Sequence, residues 1–178
     1  MPPDLALIVF VGLPGTGKSS LARQLARELQ AVYLSLATLE GAIVTLADKR
    51  GSDEGLSVVV QQGYALLLDL SRDNLSVNLS VILDSPAGDP AFRDRAKQLA
   101  RSLKANMYLI ECICTDERLL RQRIEGSSQD WAAYQLERAR FVRPNERRMV
   151  VDTAESVYVN MRKLLAYLNQ PEPSSTSQ

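Results

Sequence analysis

Residues 5–20 read LALIVFVGLPGTGKSS, and this stretch decides the fold of the 178-residue chain. Residues 5–11 form an uninterrupted apolar run, which is typical of a strand buried on both faces of a sheet. Glycines follow at positions 12, 15 and 17, and a helical pattern begins near Lys18. Glycine lets a backbone curl tightly and brings its N–H groups to one centre. The stretch therefore predicts a strand, a tight loop and a helix that starts at the loop.

The rest of the chain alternates between strand-like and helix-like segments. Four further strands are predicted at residues 31–35, 77–83, 107–114 and 149–152. Helices are predicted at residues 20–30, 38–50, 58–70, 90–103, 116–125, 129–141 and 155–168. A valine triplet at residues 58–60 leaves a strand as the alternative for the third helix. Such alternation favours a parallel sheet covered by helices on both faces, so the sequence predicts a three-layer α/β domain with ligands beyond the carboxyl ends of its strands.

The chain length fits one domain, which we predict over residues 1–170. The remaining residues 171–178, PEPSSTSQ, are predicted to be disordered because they hold no apolar surface to bury. A loop is predicted at residues 51–55. Asp89 and Thr115 are predicted to cap the fourth and fifth helices.

Composition excludes several classes of function. Lysine plus arginine number 21 and aspartate plus glutamate also 21, so net charge does not favour a nucleic acid or an anionic membrane as a partner. Histidine is absent, which excludes Ser-His-Asp catalysis and histidine-ligated zinc. No apolar run approaches the roughly 20 residues of a membrane span. Cys112 and Cys114 are expected to be reduced residues on one face of a strand, and the protein is expected to be cytoplasmic.

Residues 12–19, GLPGTGKS, match the pattern G-x-x-x-x-G-K-[ST] at every fixed position. Loop N–H groups in this pattern surround phosphate oxygens, and the helix that follows adds the positive end of its dipole. Lys18 is expected to bridge the β- and γ-phosphates, and the Ser19 hydroxyl to hold Mg²⁺. Asp84 ends the third predicted strand, where a carboxylate usually supports the same Mg²⁺; its alternative role is to cap a turn before Pro86. The sequence thus predicts a nucleoside triphosphate site.

Four segments carry a family resemblance: GLPGTGKSSLARQLARELQ, VILDSP, TDERLLRQRIEGS and MVVDT. In this order they resemble the P-loop kinases of small molecules and nucleic acid ends, a group that includes chloramphenicol phosphotransferase, gluconate kinase, adenylylsulfate kinase, zeta toxin and polynucleotide kinase. The resemblance spans about residues 5–168. It implies a P-loop NTPase fold of the nucleoside-kinase type, with a five-stranded parallel sheet, a helical lid, ATP and Mg²⁺.

The resemblance also implies roles for individual residues. Arg123 falls where similar kinases stack an arginine on adenine, and Asp152 and Thr153 fall near the adenine edge. Residues 127–145 correspond to a mobile lid that supplies arginines to the transferred phosphate. The expected catalytic residues are Lys18, Asp84, Arg138 and Arg140. The expected nucleotide-binding residues are Gly12, Leu13, Pro14, Gly15, Thr16, Gly17, Lys18, Ser19, Ser20, Arg123, Asp152 and Thr153. The expected metal-binding residues are Ser19 and Asp84.

Two positions depart from the family pattern. Many such kinases carry, after the second strand, an aspartate that orients or deprotonates the acceptor hydroxyl, and Ala37 stands at that position here. Glu40, one turn later, either substitutes for it or is a solvated helix residue. Ser127 replaces an arginine of adenylate-kinase-like proteins, whose role the arginines at 138, 140 and 143 can cover. Trp131 and Tyr134 either cover a bound ligand or pack locally.

Charge is unevenly distributed despite the zero balance. Residues 31–92 hold three basic and eight acidic side chains, whereas residues 117–150 hold eight arginines and five acids. An arginine-rich flap fits phosphoryl transfer, and an acidic acceptor side favours a small molecule over a nucleic acid. The favoured function is therefore a small-molecule kinase. A nucleotide-binding protein or weak ATPase with a degenerate acceptor site is the alternative, and a GTP switch is disfavoured because no guanine-reading N-K-x-D follows. No feature of the sequence indicates an oligomeric state.

Overall fold

The computed structural model describes residues 4–50, 56–127 and 130–170. Within these ranges the strands are β1 (Ala6–Val11), β2 (Val32–Ser35), β3 (Val81–Asp84), β4 (Asn106–Ile113) and β5 (Met149–Asp152). The helices are α1 (Lys18–Leu29), α2 (Leu36–Arg50), α3 (Leu56–Ser76), α4 (Pro90–Ser102), α5 (Glu117–Glu125), α6 (Trp131–Arg140) and α7 (Val157–Leu168). The loop predicted at residues 51–55, the tail at residues 171–178 and part of the predicted lid lie outside the described residues.

The five strands form one parallel sheet in the order β2-β3-β1-β4-β5. Its centre is β1, where Phe10 pairs with Asp84 of β3 on one side and with Ile110 of β4 on the other. Strands β2 and β3 lie on one side of β1, and β4 and β5 lie on the other. Ligands of open α/β sheets bind at the carboxyl end of the strand where the order reverses in this way. The predicted parallel three-layer architecture is confirmed.

Alternate residues of β1 enter two separate hydrophobic cores. Leu7, Val9 and Val11 pack in a core beneath α3 and α4, whereas Ala6, Ile8 and Phe10 pack beneath α1 and α7. All six side chains of the strand are fully buried. The continuous apolar run at residues 5–11 therefore reflects burial on both faces, as expected for the central strand of a parallel sheet.

The boundary between α3 and β3 differs from the prediction. The helix continues to Ser76, and the strand begins only at Val81, not at residue 77. Leu75 is buried at the end of the helix, while Val77 and Leu79 are exposed in the turn that Asn78 makes with a φ of 62°. The apolar residues at 77 and 79 resembled a strand, but their side chains cover no core. The valine triplet belongs to α3, so the strand alternative there is wrong.

Helix caps and cysteines complete the description of the fold. Asp89 caps α4 through Ala91 N, as predicted, but Asp116, not Thr115, caps α5 by accepting a hydrogen bond from Leu119 N. Both cysteines are free: burial raises the pKa of Cys112 to about 12, and the half-buried Cys114 follows two residues later. Among the described residues, no helix has the length and apolar character needed to cross a membrane.

Candidate functional site

The phosphate loop, defined here as residues 12–19, connects β1 to α1 at the carboxyl edge of the sheet. Gly15 and Gly17 adopt left-handed conformations with φ values of 76° and 73°. A Cβ atom at Gly15 would lie 2.8 Å from the Ile124 side chain, so a larger residue there would force the side chains of α5 to shift. Gly17 caps α1 without a side-chain hydrogen bond, which leaves the first N–H groups of the helix available. This end of α1 can therefore hold an anion with its N–H groups and its dipole.

Hydrogen bonds within the loop and from two neighbouring segments fix its conformation. Thr16 is buried, and its hydroxyl donates to Leu13 O at 2.7 Å. The Thr153 hydroxyl, after β5, donates to Thr16 O at 2.7 Å. Arg123 donates to Gly15 O, to the Thr153 hydroxyl and to Thr153 O. The curled conformation is thus held by α5 and by the segment after β5, before any ligand binds.

Asp84 lies beside the start of α1 and is bound at both carboxylate oxygens. Lys18 Nζ is 2.8 Å from Asp84 Oδ1, and the Tyr33 hydroxyl donates to Asp84 Oδ2 at 2.5 Å. The Asp84 side chain is only 4% exposed and that of Lys18 is 13% exposed. The residues predicted to hold phosphate and metal are therefore in direct contact, although 66 positions separate them in the chain.

The surroundings of Asp84 keep it ionised. Burial alone would raise its pKa, but the Lys18 charge, together with hydrogen bonds from Lys18, Tyr33 and Ser19, holds the pKa below its ordinary value. Burial and the Asp84 carboxylate raise the pKa of Tyr33 to about 12, so this hydroxyl stays protonated and remains a donor at neutral pH. The pair thus presents a carboxylate of fixed charge and fixed orientation.

Oxygen donors around Asp84 suit a small, hard cation. Ser19 and Asp84 are adjacent, and the buried Ser85 hydroxyl next to them has no hydrogen-bond partner. No group of three or more histidine, cysteine or acidic residues that could hold a metal by itself occurs in the described part of the chain. A single carboxylate with hydroxyl oxygens matches a Mg²⁺ ion that takes its remaining ligands from phosphates and water. The residues therefore fit a metal that arrives with a nucleotide.

Three clefts open around the phosphate loop, and each is named here for the helix that walls it. The α7 cleft has a volume of about 490 Å³ and is lined by residues 13–21, Arg123, Thr153, Val157 and Asn160, among others. The α2 cleft, of about 430 Å³, is lined by Pro14, Lys18, Ser19, Ala37, Glu40 and Asp84, among others. The α6 cleft, of about 350 Å³, is lined by Gly12, Glu111, Arg138 and Arg143, among others. All three are in the size range of small-molecule sites.

Most of the predicted nucleotide-binding residues gather at these clefts. The loop residues, Ser20, Arg123 and Thr153 line the α7 cleft or the adjoining α2 cleft. Asp152 is an exception, because its carboxylate turns away and accepts hydrogen bonds from Thr115 and from Ala154 N. These bonds outweigh the effect of burial and lower its pKa. Asp152 thus joins β5 to the start of α5 and does not line the α7 cleft.

The predicted lid packs against α5 through a small apolar cluster. Tyr134 is buried with Leu120 and Ile124, and its ring stacks on Trp131 at 5.1 Å. These two aromatic residues therefore pack locally. Arg138 lines the α6 cleft, whereas Arg140 is exposed at the end of α6 and lines none of the three clefts. Lid closure and the roles of Arg138 and Arg140 stay predictions.

Two site residues were not identified from the sequence. Tyr33 gave no signal, because its contact with Asp84 depends on the pairing of β2 with β3. Glu111 is the second: it is only 2% exposed and binds both Arg143, at 3.2 Å, and Arg148, at 2.5 Å. A single acidic residue inside the apolar run MYLIECI was the available signal, since a buried carboxylate needs a charged partner. Glu111 holds Arg143 at the wall of the α6 cleft.

A family model described as an AAA domain matches residues 7–142, a stretch that contains the phosphate loop, Asp84 and α6. The chain belongs to the AAA domain family. No curated protein sequence matches this AAA domain.

Solved structures share the fold of this AAA domain at low identity. A gluconokinase from Sinorhizobium meliloti 1021 has 17% identity and a TM-score of 0.65, with 93% of each chain covered. The APS kinase CysC from Mycobacterium tuberculosis, in complex with AMPPNP and APS, has 18% identity and a TM-score of 0.70, covering 95% of this chain and 100% of that one. Kti12 from Chaetomium thermophilum, in complex with ADP-AlF3, has 19% identity and a TM-score of 0.69, covering 92% and 100%. The P-loop kinase-like fold inferred from the sequence is thereby confirmed.

Proposed function

We propose that this AAA domain transfers the γ-phosphoryl group of Mg-ATP to a hydroxyl group of a small molecule. The observation that carries the proposal is that the α7 cleft and the α2 cleft meet at the phosphate loop, where Pro14, Lys18 and Ser19 line both. A nucleotide in the α7 cleft would present its terminal phosphate to a second molecule in the α2 cleft. Enzymes that join two bound reactants in this way gain most of their rate from positioning.

The residues of the loop supply the electrostatic part of the reaction. Loop N–H groups bind phosphate oxygens, and Lys18 exchanges its contact with Asp84 for the β- and γ-phosphates. Ser19 and Asp84 would hold Mg²⁺, which would supply positive charge against the charge that develops on the phosphates. ATP is the nucleotide proposed because of the kinase resemblance, and the AMPPNP and ADP-AlF3 in two structurally similar proteins are consistent with it.

Arginines of the lid complete the charge around the transferred group. Arg138 and Arg143 line the α6 cleft next to Gly12, and Glu111 orients Arg143. Arginine suits this position because its planar group contacts two phosphate oxygens at once. We include Arg140 as a lid residue that reaches the phosphate on closure.

A small molecule is the proposed acceptor. The volume of the α2 cleft suits one, and hydroxyl groups of Ser35 and Thr38 line it beside Glu40. Three basic and eight acidic residues in the segment 31–92 do not make the basic groove that a nucleic acid backbone needs.

Acceptor-dependent formation of ADP tests the proposal. The purified protein is supplied with Mg-ATP and a panel of hydroxyl compounds, including glycerol, D-gluconate, D-glucose, L-serine and adenosine. We expect at least one compound to accelerate ADP release, and Lys18→Ala to lower that rate about 100-fold or more, because the loop loses its cation. Lys97→Ala, on the exposed surface of α4, is the matched control and should match the wild type. Equal rates in the Lys18→Ala variant and the wild type would refute the proposal.

A specific observation favours a second candidate function, that of a nucleotide-binding protein with weak ATPase activity. Ala37 is exposed and lines the α2 cleft at the position where the resemblance places a carboxylate. The same assay separates the two functions, since a weak ATPase releases ADP slowly and at one rate whatever the acceptor.

A further inference from the structure

The α2 cleft contains a carboxylate that the phosphate loop does not use. Glu40 lies on α2 three residues after Ala37, and both residues line the cleft together with Lys18 and Asp84. Residues three apart in a helix share one face, so Glu40 presents its carboxylate from the next turn of the same helix face. The part of the cleft that α2 lines therefore has an acidic group although position 37 has none.

Asp84, the other carboxylate of the cleft, is already bound by neighbouring side chains. Its two oxygens bind Lys18 and Tyr33, and the proposed function assigns the same carboxylate to Mg²⁺ when Lys18 turns to the phosphates. A carboxylate that is engaged in this way is not free to take the proton of an acceptor. Ser35, Thr38 and Ser85 offer only hydroxyl groups, and Arg23 and Lys18 are cations. Among the described residues that line the cleft, Glu40 is the one acidic group left to receive a proton.

The surroundings of Glu40 differ from those of Asp84. Within the described part of the chain, no hydrogen bond or ion pair engages its carboxylate, and partial burial raises its pKa. Its stem packs against α3, where a Cβ atom added to Gly63 would lie 3.2 Å from Glu40 Cγ. Gly63 thus leaves the space that the stem of Glu40 occupies. A carboxylate that lines the cleft, has its stem packed against α3 and has a raised pKa has the properties of a general base.

We propose, building on the phosphoryl transfer proposed above, that Glu40 is the catalytic residue that binds the acceptor hydroxyl and takes its proton. The acceptor oxygen forms a bond to the γ-phosphorus, and its proton passes to the Glu40 carboxylate. The bond between the γ-phosphorus and the β,γ-bridging oxygen breaks, and ADP leaves with that electron pair. Glu40 thereby takes the part that an aspartate at position 37 would play.

Replacing the carboxylate by an amide of the same shape tests the proposal. ADP formation is measured with two probe acceptors, water and glycerol, under saturating Mg-ATP. We expect Glu40→Gln to lower kcat at least tenfold and to leave the Kd of Mg-ATP within twofold of the wild type, since a general base typically contributes about 10²–10⁴-fold. Glu28→Gln makes the same change at an exposed position of α1 and should match the wild type.

Moving the carboxylate along the helix distinguishes catalysis from a structural role. We expect Ala37→Asp, added to Glu40→Gln, to raise kcat at least threefold above that of Glu40→Gln alone. Ala37→Asn in the same background should not raise it. Glu40→Asp should retain more activity than Glu40→Gln, which keeps the test valid if the amide disturbs folding. If Glu40→Gln and Glu28→Gln have equal kcat values, the inference about Glu40 is overturned. The proposed function still stands in that case, provided that ADP formation depends on Lys18. Absence of Lys18-dependent ADP formation in the wild type would overturn both.

Discussion

The two sides of the phosphate loop differ in the groups that interact there: backbone groups on the α7 side and side chains on the α2 side. On the α7 side, backbone groups dominate: Thr16 O and Gly15 O receive hydrogen bonds from Thr153 and Arg123, and the N–H groups of α1 face the cleft. On the α2 side, side chains dominate, since Asp84 binds Lys18 and Tyr33. Backbone geometry depends on glycine spacing, whereas a side-chain network depends on residues that separate strands contribute.

This difference separates phosphate binding, which we expect to be general among related domains, from recognition of an acceptor, which we expect to be particular to this chain. Phosphate binding by N–H groups tolerates many side chains as long as the loop can curl. Recognition of an acceptor needs polar groups at defined positions, and there this chain departs from the family pattern at Ala37. We therefore expect the α7 side to be general among related domains, and the α2 side to determine which acceptor is used in the proposed reaction.

Among three variants that separate the two sides, the largest effect is expected from Asp84→Asn, which disturbs both sides at once. Without the negative charge, Lys18 loses its partner and Mg²⁺ loses its one carboxylate, so ADP formation should fall at least about tenfold, or ~1.4 kcal/mol of transition-state stabilisation. The Kd of Mg-ATP should change less, because the loop N–H groups stay in place. Steady-state kinetics and calorimetric titration measure the two quantities, with Asp69→Asn on the exposed face of α3 as the control. A loss in affinity larger than the loss in rate would contradict the assignment.

An effect confined to the α7 side is expected from Arg123→Ala. This change removes three hydrogen bonds to Gly15 and Thr153 and the cation predicted to stack on adenine. The Kd of Mg-ATP should rise about tenfold, which titration with a fluorescent ATP analogue can measure. Arg121→Ala is the matched control two residues away, because Arg121 is exposed, contacts Glu125 and the Trp131 ring, and lines none of the three clefts. Equal Kd values for both variants would show that Arg123 serves neither the loop nor the base.

The smallest effect is expected from Tyr33→Phe, which tests whether the α2 side supports the chemistry. Loss of one hydrogen bond to a charged group should lower kcat about threefold to tenfold through misorientation of Asp84, with an unchanged Kd of Mg-ATP. Tyr108→Phe removes a buried hydrogen bond to Leu168 O, far from the clefts, and should affect only thermal stability. If both variants lose stability alone, the Tyr33 hydroxyl is structural.

Local patterns predicted several features correctly because their physical causes are local. The run at residues 5–11, the glycines and Lys18 lie next to one another, so their spacing predicted the strand, the loop and the start of α1. Capping of α4 by Asp89 was predicted for the same reason. The end of α3 was misplaced, since whether Val77 and Leu79 are buried depends on what packs over them. The family resemblance placed Asp152 near the adenine edge, and this role stays a prediction; in the structure its carboxylate accepts hydrogen bonds from Thr115.

The sequence by itself determined that this protein has a phosphate-binding loop between a buried strand and a helix, because eight consecutive residues carry that geometry. It also indicated that Asp84 ends a strand. Only the tertiary structure decided that β3 lies next to β1, which brings Asp84 to Lys18, and that β2 pairs with β3, which brings Tyr33 to Asp84. It likewise decided that α2 packs on α3 at Gly63, which places Glu40 in the α2 cleft. Contacts between distant segments follow from strand order and packing, and these arise from the whole chain together.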